Sequence, residues 1–121
     1  MTEFTDAYSR ASKTFRAVTD VALRRHGLHL GQNLLLDALA GQDGQTPGEL
    51  AAAIRVTVPT VVKMSTRMAA AGLIDRRRDA KDNRLVRLYL TRAGRALLEP
   101  VTRELEEIDR RTTAALTRTE R

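Results

Sequence analysis

The sequence predicts a mainly α-helical fold with one small β-hairpin. Apolar residues recur every three or four positions near both ends of the chain, as they do along one face of a helix. Two helix starts are signalled in the middle of the chain, at Thr46 and Thr57. One short stretch, Leu85 to Leu90, alternates as a β-strand does. With 121 residues, of which 42% are hydrophobic, the chain fits a single domain.

The first predicted helix carries an unusual apolar stripe. Its members follow alternating steps of four and three residues, which is a heptad-like spacing: Phe4, Tyr8, Ala11, Phe15, Val18 and Ala22. Gly27 follows a basic run and ends this helix, because glycine and basic residues both suit a helix C-terminus. A second helix is predicted from about Leu30 to Ala40, and residues 41–45 form a glycine-containing loop.

A short third helix and a longer fourth helix come next, joined by a tight turn. Thr46 can cap the third helix, and Glu49 completes a capping box three residues later. This helix ends near Arg55. Thr57 caps the fourth helix, which runs to about Ala71. The residues predicted to be buried on the fourth helix are Val61, Met64 and Met68.

A hairpin and a long final helix complete the chain. The first strand begins at Leu73 and is only weakly signalled, and a charged loop joins it to the strand ending at Leu90. The final helix starts at a Thr91 cap, and Pro100 inside it removes a backbone hydrogen bond to Ala96. We therefore expect a kink at this proline, or a break into two helices. The apolar positions of the final helix are Leu97, Val101, Leu105, Ile108, Thr112 and Ala115.

Almost all the excess positive charge lies in the middle of the chain. The formal net charge is +6, and residues 46–91 contain nine basic and four acidic residues, a net of +5. Such a concentration is expected of a surface that faces a polyanion. Two helices joined by a tight turn and followed by a basic hairpin form a winged helix-turn-helix, which binds duplex DNA. The alternatives are a solvated charged surface and two amphipathic helices that only pack in a bundle.

Several function classes are disfavoured by composition. The chain has no cysteine, which removes disulfides, thiolate metal sites and cysteine nucleophiles. No apolar run approaches the length of a membrane span, and the N-terminus lacks a signal-peptide pattern, so we expect a cytoplasmic, soluble protein. No catalytic triad spacing and no glycine-rich phosphate loop occur, so we expect neither an enzyme nor a cofactor.

Candidate DNA contacts lie on the fourth helix and on the hairpin. Thr60 can bond to a base edge, while Lys63 and Arg67 can reach phosphate or guanine. An arginine of the hairpin loop can enter the minor groove, and Asp82 is interpreted as its bidentate, orienting partner. The DNA-binding residues predicted on these two elements are Val58, Pro59, Thr60, Lys63, Arg67, Arg76, Arg78, Lys81, Asp82 and Arg84.

Four stretches of the sequence resemble the MarR family of transcription regulators. They are Thr46-Pro-Gly-Glu-Leu-Ala51, Val58-Pro-Thr-Val-Val62, Gly72-Leu-Ile-Asp-Arg-Arg-Arg-Asp-Ala-Lys-Asp-Asn-Arg84 and Leu90-Thr-Arg-Ala-Gly94. The resemblance implies that Arg84 enters the minor groove, that Asp82 supports it, and that Arg76 belongs to the same polar cluster. It also implies that six positions of the fourth helix face the major groove: Thr57, Val58, Thr60, Val61, Lys63 and Arg67.

The same resemblance implies an assembly and a mode of action. Such regulators dimerise through their first and last helices, so we expect dimerisation helices at 1–27 and 92–121 and a DNA-binding domain at 28–91. The homodimer would repress from an inverted-repeat operator. A small aromatic or phenolic effector would release it by binding near Tyr8, Arg24, Arg25 or His26.

Two alternatives keep the fold but change the function. Metal sensing could use His26 and His29, which lie three residues apart, but no cysteine or third histidine completes a site. Binding to DNA without sequence specificity, as nucleoid proteins do, is a second alternative, and competition with unrelated DNA separates it from specific regulation.

Overall fold

The computed structural model describes the backbone of residues 2–120 and the side chains of residues 9, 10, 12–114 and 117. It contains five α-helices and one two-stranded sheet among these residues. The element bounds are α1 Thr2–Arg25, α2 Gln32–Gly41, α3 Pro47–Ile54, α4 Val58–Ala70, β1 Ile74–Arg78, β2 Val86–Leu90 and α5 Arg92–Glu120. The predicted fold class, mainly α with a β-hairpin, is therefore confirmed.

The chain divides into two compact units. One consists of Met1–Leu30 and Pro100–Arg121, and the other of Gly31–Glu99. In the first unit, α1 ends as predicted, because Gly27 has a φ of 77° and the Leu28 amide donates to the Leu23 carbonyl. The buried residues of this unit include Thr19, Ala22, Leu23, Leu28, Val101 and Ile108.

The apolar stripe predicted on α1 is only partly buried within the chain. Ala22 is buried, whereas Phe15 is half-buried and Val18 is 46% exposed. Val21, outside the stripe, is 52% exposed. The side chains of Phe4, Tyr8 and Ala11, and that of Ala115 on α5, lie outside the described residues.

The second unit has a core of aliphatic side chains from α2, α3, α4, β1 and β2. Its fully buried members include Leu35, Leu36, Leu39, Leu50, Val61, Met68, Ile74 and Leu88. Strands β1 and β2 pair antiparallel, with Ile74 opposite Leu90 and Arg78 opposite Val86. Gln45 adds a single bridge to Leu88, so the loop between α2 and α3 pairs with β2 at this one position.

Helix α5 runs unbroken through Pro100, so the alternative of two separate helices is wrong. Pro100 and Ala96 are both exposed. The carbonyl that loses its helical partner can therefore bond to water, which lowers the cost of the proline. Val101 stays buried beside the proline, and packing of that face favours a continuous helix.

The hydropathy of the helices bears on membrane insertion. Across the part of the chain that the structure describes, no helix combines the length and apolar character needed to span a bilayer.

Candidate nucleic-acid interface

Helices α3 and α4 form the predicted helix-turn-helix, and each begins at a threonine cap. Thr46 Oγ1 accepts from the Glu49 amide at 3.2 Å, and Glu49 Oε1 accepts from the Thr46 amide at 3.3 Å. This is the complete capping box that the sequence predicts. At α4, Thr57 Oγ1 accepts from the Thr60 amide at 3.4 Å. The two caps fix where each helix starts, and so fix the length of the turn between them.

The turn between α3 and α4 holds a non-glycine residue in the left-handed region. Arg55 has φ 59° and ψ 49°, a conformation in which L side chains are strained. The Val56 amide donates to the Ala51 carbonyl at 3.0 Å, which closes the turn and satisfies one of the final carbonyls of α3. The sequence places the end of α3 correctly, but nothing in it signals that an arginine takes this conformation.

Helix α4 has one buried face and one exposed face. Val61, Ser65 and Met68 are buried, and most of the predicted contact residues lie on the exposed side. Val58 and Val62 leave 46% and 38% of their surface open. The exposed predicted contact residues of the helix and its cap are Thr57, Val58, Pro59, Thr60, Lys63 and Arg67.

The assignment of Val61 to the DNA-facing set is wrong. Val61 is 0% exposed and belongs to the core of the second unit. Its position four residues before Ser65 and seven before Met68 places all three on the same side of the helix. A side chain on that side cannot reach a groove that the opposite side faces.

The first turn of α4 also carries a hydroxyl pair. Thr57 Oγ1 and Thr60 Oγ1 lie 2.8 Å apart and share a hydrogen bond. Both residues are exposed, so each hydroxyl keeps capacity for a further partner. The pair fixes the direction of the Thr60 side chain at the end of the helix that offers free backbone N–H groups to an anion.

The hairpin presents Arg84 to solvent, and an aspartate binds its guanidinium group. Asp82 Oδ1 accepts from Arg84 Nε at 3.2 Å, and Asp82 Oδ2 accepts from Arg84 Nη2 at 3.4 Å. Asp82 Oδ1 also accepts from the Arg84 amide at 3.0 Å. The Arg84 side chain is 90% exposed. The predicted bidentate pair is therefore present, and it orients a guanidinium that still has free donors.

The other predicted hairpin residues are exposed but differ in their bonding. Arg78 Nη1 donates to the Asn83 carbonyl at 2.7 Å, across the loop. Arg76 makes no hydrogen bond or ion pair to the described residues, so the structure does not place it in the polar cluster that the resemblance implies. Lys81 is exposed, and its amide donates to Asp79 Oδ1 at 2.7 Å.

Several residues that hold the hairpin were not predicted as site residues. Arg87 Nε donates to Asp79 Oδ2 at 2.6 Å, and Arg87 Nη1 donates to the Gly44 carbonyl at 2.9 Å. Asp43 accepts from the Leu90 amide and from Arg95 Nη2. A charged residue at an interior position of an apolar strand was the only signal for Arg87. Its partner at Gly44 lies 43 residues away and gives no local sign.

The hydrogen bonds of Asp79 lower the pKa of its carboxyl group. The Arg87 guanidinium, followed by the amides of Lys81 and Asp82, holds the pKa of the Asp79 carboxyl below its usual range. In turn, the bond to Asp79 raises the pKa of the Arg87 guanidinium. Both groups are therefore charged at neutral pH.

The electrostatics of the second unit favour an anionic partner. Asp43, Glu49, Asp75, Asp79 and Asp82 are each engaged with an arginine. Several exposed basic side chains have no ion pair or hydrogen bond to the described residues: Arg55, Lys63, Arg67, Arg76, Lys81 and Arg92. The carboxylates thus stabilise the scaffold, and the positive charge that remains lies on the turn, α4, the hairpin and the start of α5.

The first unit contains a groove between α1 and α5. Its volume is about 500 Å³, with walls formed by Ala17, Val18, Val21, Ala22, Arg25, Glu104, Glu107, Ile108 and Arg111. Arg25 Nη1 lies 3.4 Å from Glu104 Oε1, and His26 Nε2 lies 3.3 Å from Glu104 Oε2. Of the residues predicted near an effector, Arg25 lines this groove, Arg24 pairs with Asp20, and Tyr8 lies outside the described side chains.

The structure offers no support for a metal trigger at the two histidines. Within the described side chains, no group of three or more histidine, aspartate and glutamate residues is arranged to hold a metal ion. His26 instead contacts Glu104.

A capped helix-turn-helix with a basic exposed face, followed by a hairpin that projects an arginine, defines a winged-helix DNA-binding protein. The family model described as "MarR family" matches residues 28–86, which span α2, α3, α4, β1 and the start of β2. These residues are similar to the MarR family of transcription regulators, and a solved MarR family transcription regulator that is 25% identical, with a TM-score of 0.69, matches 100% of this chain and 82% of that one.

Solved structures of DNA-binding proteins and transcription regulators share this fold. The Staphylococcus aureus MepR–DNA complex is 26% identical with a TM-score of 0.80, and the match covers 93% of this chain and 83% of that one. A probable transcriptional regulator from Pseudomonas aeruginosa is 25% identical, also with a TM-score of 0.80, over 92% and 83% of the two chains. Bordetella bronchiseptica BpsR, whose DNA binding is regulated by 6-hydroxynicotinic acid, is 27% identical with a TM-score of 0.78, over 89% and 77%. No curated protein matches the sequence.

Proposed function

We propose that the protein is a repressor that binds an inverted-repeat operator as a homodimer and is released by a small aromatic or phenolic effector. The observation that carries this proposal is the arrangement of Arg84. Its guanidinium is 90% exposed and oriented by Asp82, on a hairpin that follows a helix with a polar, basic face. A recognition helix suits the major groove, and a projecting arginine suits the minor groove.

The DNA-reading role rests on groups of different chemistry. Lys63 and Arg67 on α4 carry unneutralised charge for phosphate or guanine, and Val58 and Val62 offer exposed methyl groups to thymine. Thr60 supplies a hydroxyl beside them. Non-specific binding needs only the positive charge, so the mixture of apolar and polar groups on one helix face favours sequence-specific recognition.

One experiment tests both the inverted-repeat operator and the role of Arg84 on the hairpin. Fragments selected from random DNA by the purified protein should contain an inverted repeat, because a two-fold dimer presents two equivalent recognition helices. Arg84→Ala should weaken binding to the selected operator by about 1–3 kcal/mol and reduce the preference for A·T-rich flanks. The matched control is Arg110→Ala, which removes another exposed, carboxylate-paired arginine, on α5. Equal binding by Arg84→Ala and the wild type would contradict the assigned role.

The homodimer is supported by apolar surface on α1. Val18 and Val21 are about half exposed and lie one helical turn apart. A helix that leaves aliphatic side chains open gains stability by covering them with a second copy. Val21→Glu should convert the dimer to a monomer, measured as molar mass by light scattering. Leu85→Glu changes another exposed aliphatic residue, on the hairpin, and should leave the mass unchanged.

The groove between α1 and α5 is proposed as the effector site. Its apolar wall suits an aromatic ring, and Arg25 and Arg111 can pair with a carboxylate or phenolate. A panel of aromatic acids that includes 6-hydroxynicotinic acid should contain compounds that lower operator affinity. Arg25→Gln should abolish that response, whereas Arg24→Gln, at the neighbouring and similarly exposed position, should keep it. A response that survives Arg25→Gln would place the effector elsewhere.

A further inference from the structure

Arg87 connects three segments of the DNA-binding unit. Its Nε donates to Asp79 Oδ2 in the hairpin loop at 2.6 Å. Its Nη1 donates to the Gly44 carbonyl, between α2 and α3, at 2.9 Å, and lies 3.5 Å from Glu49 Oε1 on α3. The same Glu49 oxygen caps the first turn of α3. One guanidinium thus ties the hairpin loop to the start of the helix-turn-helix.

The other side of Asp79 leads to Arg84. Asp79 Oδ1 accepts from the amides of Lys81 and Asp82, at 2.7 and 3.1 Å. The Asp82 carboxylate then holds the Arg84 side chain. An ion pair joins Glu49 on α3 to Arg87, and hydrogen bonds then run from Arg87 through Asp79 and Asp82 to Arg84. We name these five residues the wing series.

Exposure along the wing series changes from one end to the other. The side chains of Asp79 and Arg87 are 16% and 32% exposed, whereas that of Arg84 is 90% exposed. The shielded end can hold its geometry, because water competes little for its bonds. At the exposed end, Arg84 keeps the donors that Asp82 does not use for another molecule.

We propose that Arg87 is a positioning residue for DNA recognition. It fixes the hairpin loop on α3, and so sets where Arg84 meets the DNA relative to α4. This inference rests on the proposed function of Arg84. Without Arg87, Arg84 would still carry its charge, but its distance from the major-groove contacts would no longer be fixed. The protein would then lose discrimination between operator flanks more than it loses general affinity for DNA.

Loss of Arg87 should leave strand β2 in place. The Gly44 amide donates to the Leu88 carbonyl at 3.0 Å, and the Leu88 amide donates to the Gln45 carbonyl at 2.9 Å. These backbone bonds hold β2 against the loop between α2 and α3 without any side chain of Arg87. The β1–β2 pairing holds the other edge of the strand. A substitution of Arg87 should therefore free the hairpin loop from α3 and leave the β1–β2 pairing intact.

The test measures flank discrimination, which is the ratio of affinities for the selected operator with A·T-rich and with G·C-rich flanks at one salt concentration. Arg87→Gln should lower this ratio by the same factor as Arg84→Ala, on the order of tenfold. The double variant should match Arg84→Ala within about twofold, since both changes remove one function. Arg87→Lys should recover part of the ratio, because a lysine can still reach one partner.

Two further variants separate positioning from stability. Asp79→Asn breaks the wing series at its next member and should lower the ratio as Arg87→Gln does. Arg77→Gln is the matched control: Arg77 lies directly opposite Arg87 in the hairpin, pairs with Asp75 and stacks on Tyr89 at 4.7 Å. It stands outside the wing series and should keep the wild-type ratio. Circular dichroism and thermal unfolding are measured to check that each variant folds.

The outcomes distinguish the inference from the function on which it rests. If Arg84→Ala lowers the ratio and the folded Arg87→Gln and Asp79→Asn variants do not, the positioning role of Arg87 is overturned and the proposed function stands. Additive losses in the double variant would also overturn it. If the wild-type protein shows no flank discrimination, the proposed role of the wing fails and the inference fails with it.

Discussion

Replacement of Gly94 by alanine should destabilise the protein strongly, although the residue lies in the first turn of a helix. A Cβ atom at this position would lie 2.2 Å from the Leu73 carbonyl oxygen and 3.3 Å from Leu90 Cδ2. An ordinary carbon–oxygen contact is about 3.3 Å or longer, so the backbone around Leu73 must move by about 1 Å. That backbone has no flexible side-chain end that could give way.

The segment that must move is held by hydrogen bonds. The Leu73 carbonyl accepts from the Thr91 amide at 3.1 Å, and Thr91 Oγ1 donates to the Gly72 carbonyl at 2.7 Å. The same hydroxyl oxygen accepts from the Gly94 amide at 3.0 Å, which caps α5. Overpacking costs about 1–3 kcal/mol, and each weakened hydrogen bond adds about 1 kcal/mol. Alanine returns about 0.5–1 kcal/mol through its helix propensity. The expected net loss is about 2–4 kcal/mol.

The assay is thermal and urea unfolding at one fixed protein concentration, because the proposed dimerisation would make Tm depend on concentration. A loss of this size should lower Tm by roughly 8–15 °C in a chain of this length. Gly48→Ala is the matched control: Gly48 also lies in the first turn of a helix, and the nearest atom to its added Cβ is 3.9 Å away. It should be neutral or slightly stabilising. A Gly94→Ala protein as stable as the wild type would refute the reasoning.

Three further perturbations test other parts of the second unit. Arg55→Gly should raise the free energy of unfolding by about 0.5–1 kcal/mol, since glycine takes the left-handed conformation of this turn without a steric penalty. Urea unfolding measures this difference, and an unchanged or lower stability would contradict the prediction. Val61→Ala should lower the free energy of unfolding by about 1–3 kcal/mol, because it opens a cavity in the core. Val62→Ala, at the exposed neighbouring position, should change it by less than about 0.5 kcal/mol. Equal effects would show that Val61 is not a core residue. The depressed pKa of Asp79 contributes stability above its unfolded value, near 3.8, and this contribution is lost as the pH falls through the folded pKa. The stability gap between the wild type and Asp79→Asn should therefore be constant from about pH 7 to 5 and narrow below about pH 4, and a gap that widens in acid would be inconsistent with this sign.

Local signals in the sequence were sufficient for most of the fold. The caps at Thr46, Thr57 and Thr91 and the glycine at Gly72 act over three or four residues, so their patterns can be read directly from the chain. The pairing of Asp82 with Arg84 is also local. For the same reason, the fold class and the position of the helix-turn-helix in the chain were predictable.

The parts that were not predicted depend on contacts distant in sequence or on the direction of a single side chain. The helical spacing of Val61 and Met68 correctly predicts that Val61 is buried, and only the resemblance places it in the DNA-facing set. Pro100 looked like a helix break because the sequence does not show that Ala96 and the proline are both exposed. Gln45 was predicted as a loop residue, yet it is buried and bonds to the Ala38 and Gln42 carbonyls. Neither the exposure of Ala96 and Pro100 nor the burial of Gln45 has a local signature.

The division of labour among the arginines explains why the DNA-binding unit contains so many charged residues for its size. Arg87 on β2 binds the Asp79 carboxylate of the hairpin loop and the Gly44 carbonyl between α2 and α3, and Arg95 on α5 binds Asp43 of that same α2–α3 loop. Such pairs add little stability at a fully exposed surface, but they fix geometry where one partner is shielded, as Asp79 is. Lysine could supply the same charge but could not join Asp79 and Gly44 from one planar group. An arginine in the scaffold is therefore a requirement for placing an arginine at the tip, and the basic character of this unit follows from both needs.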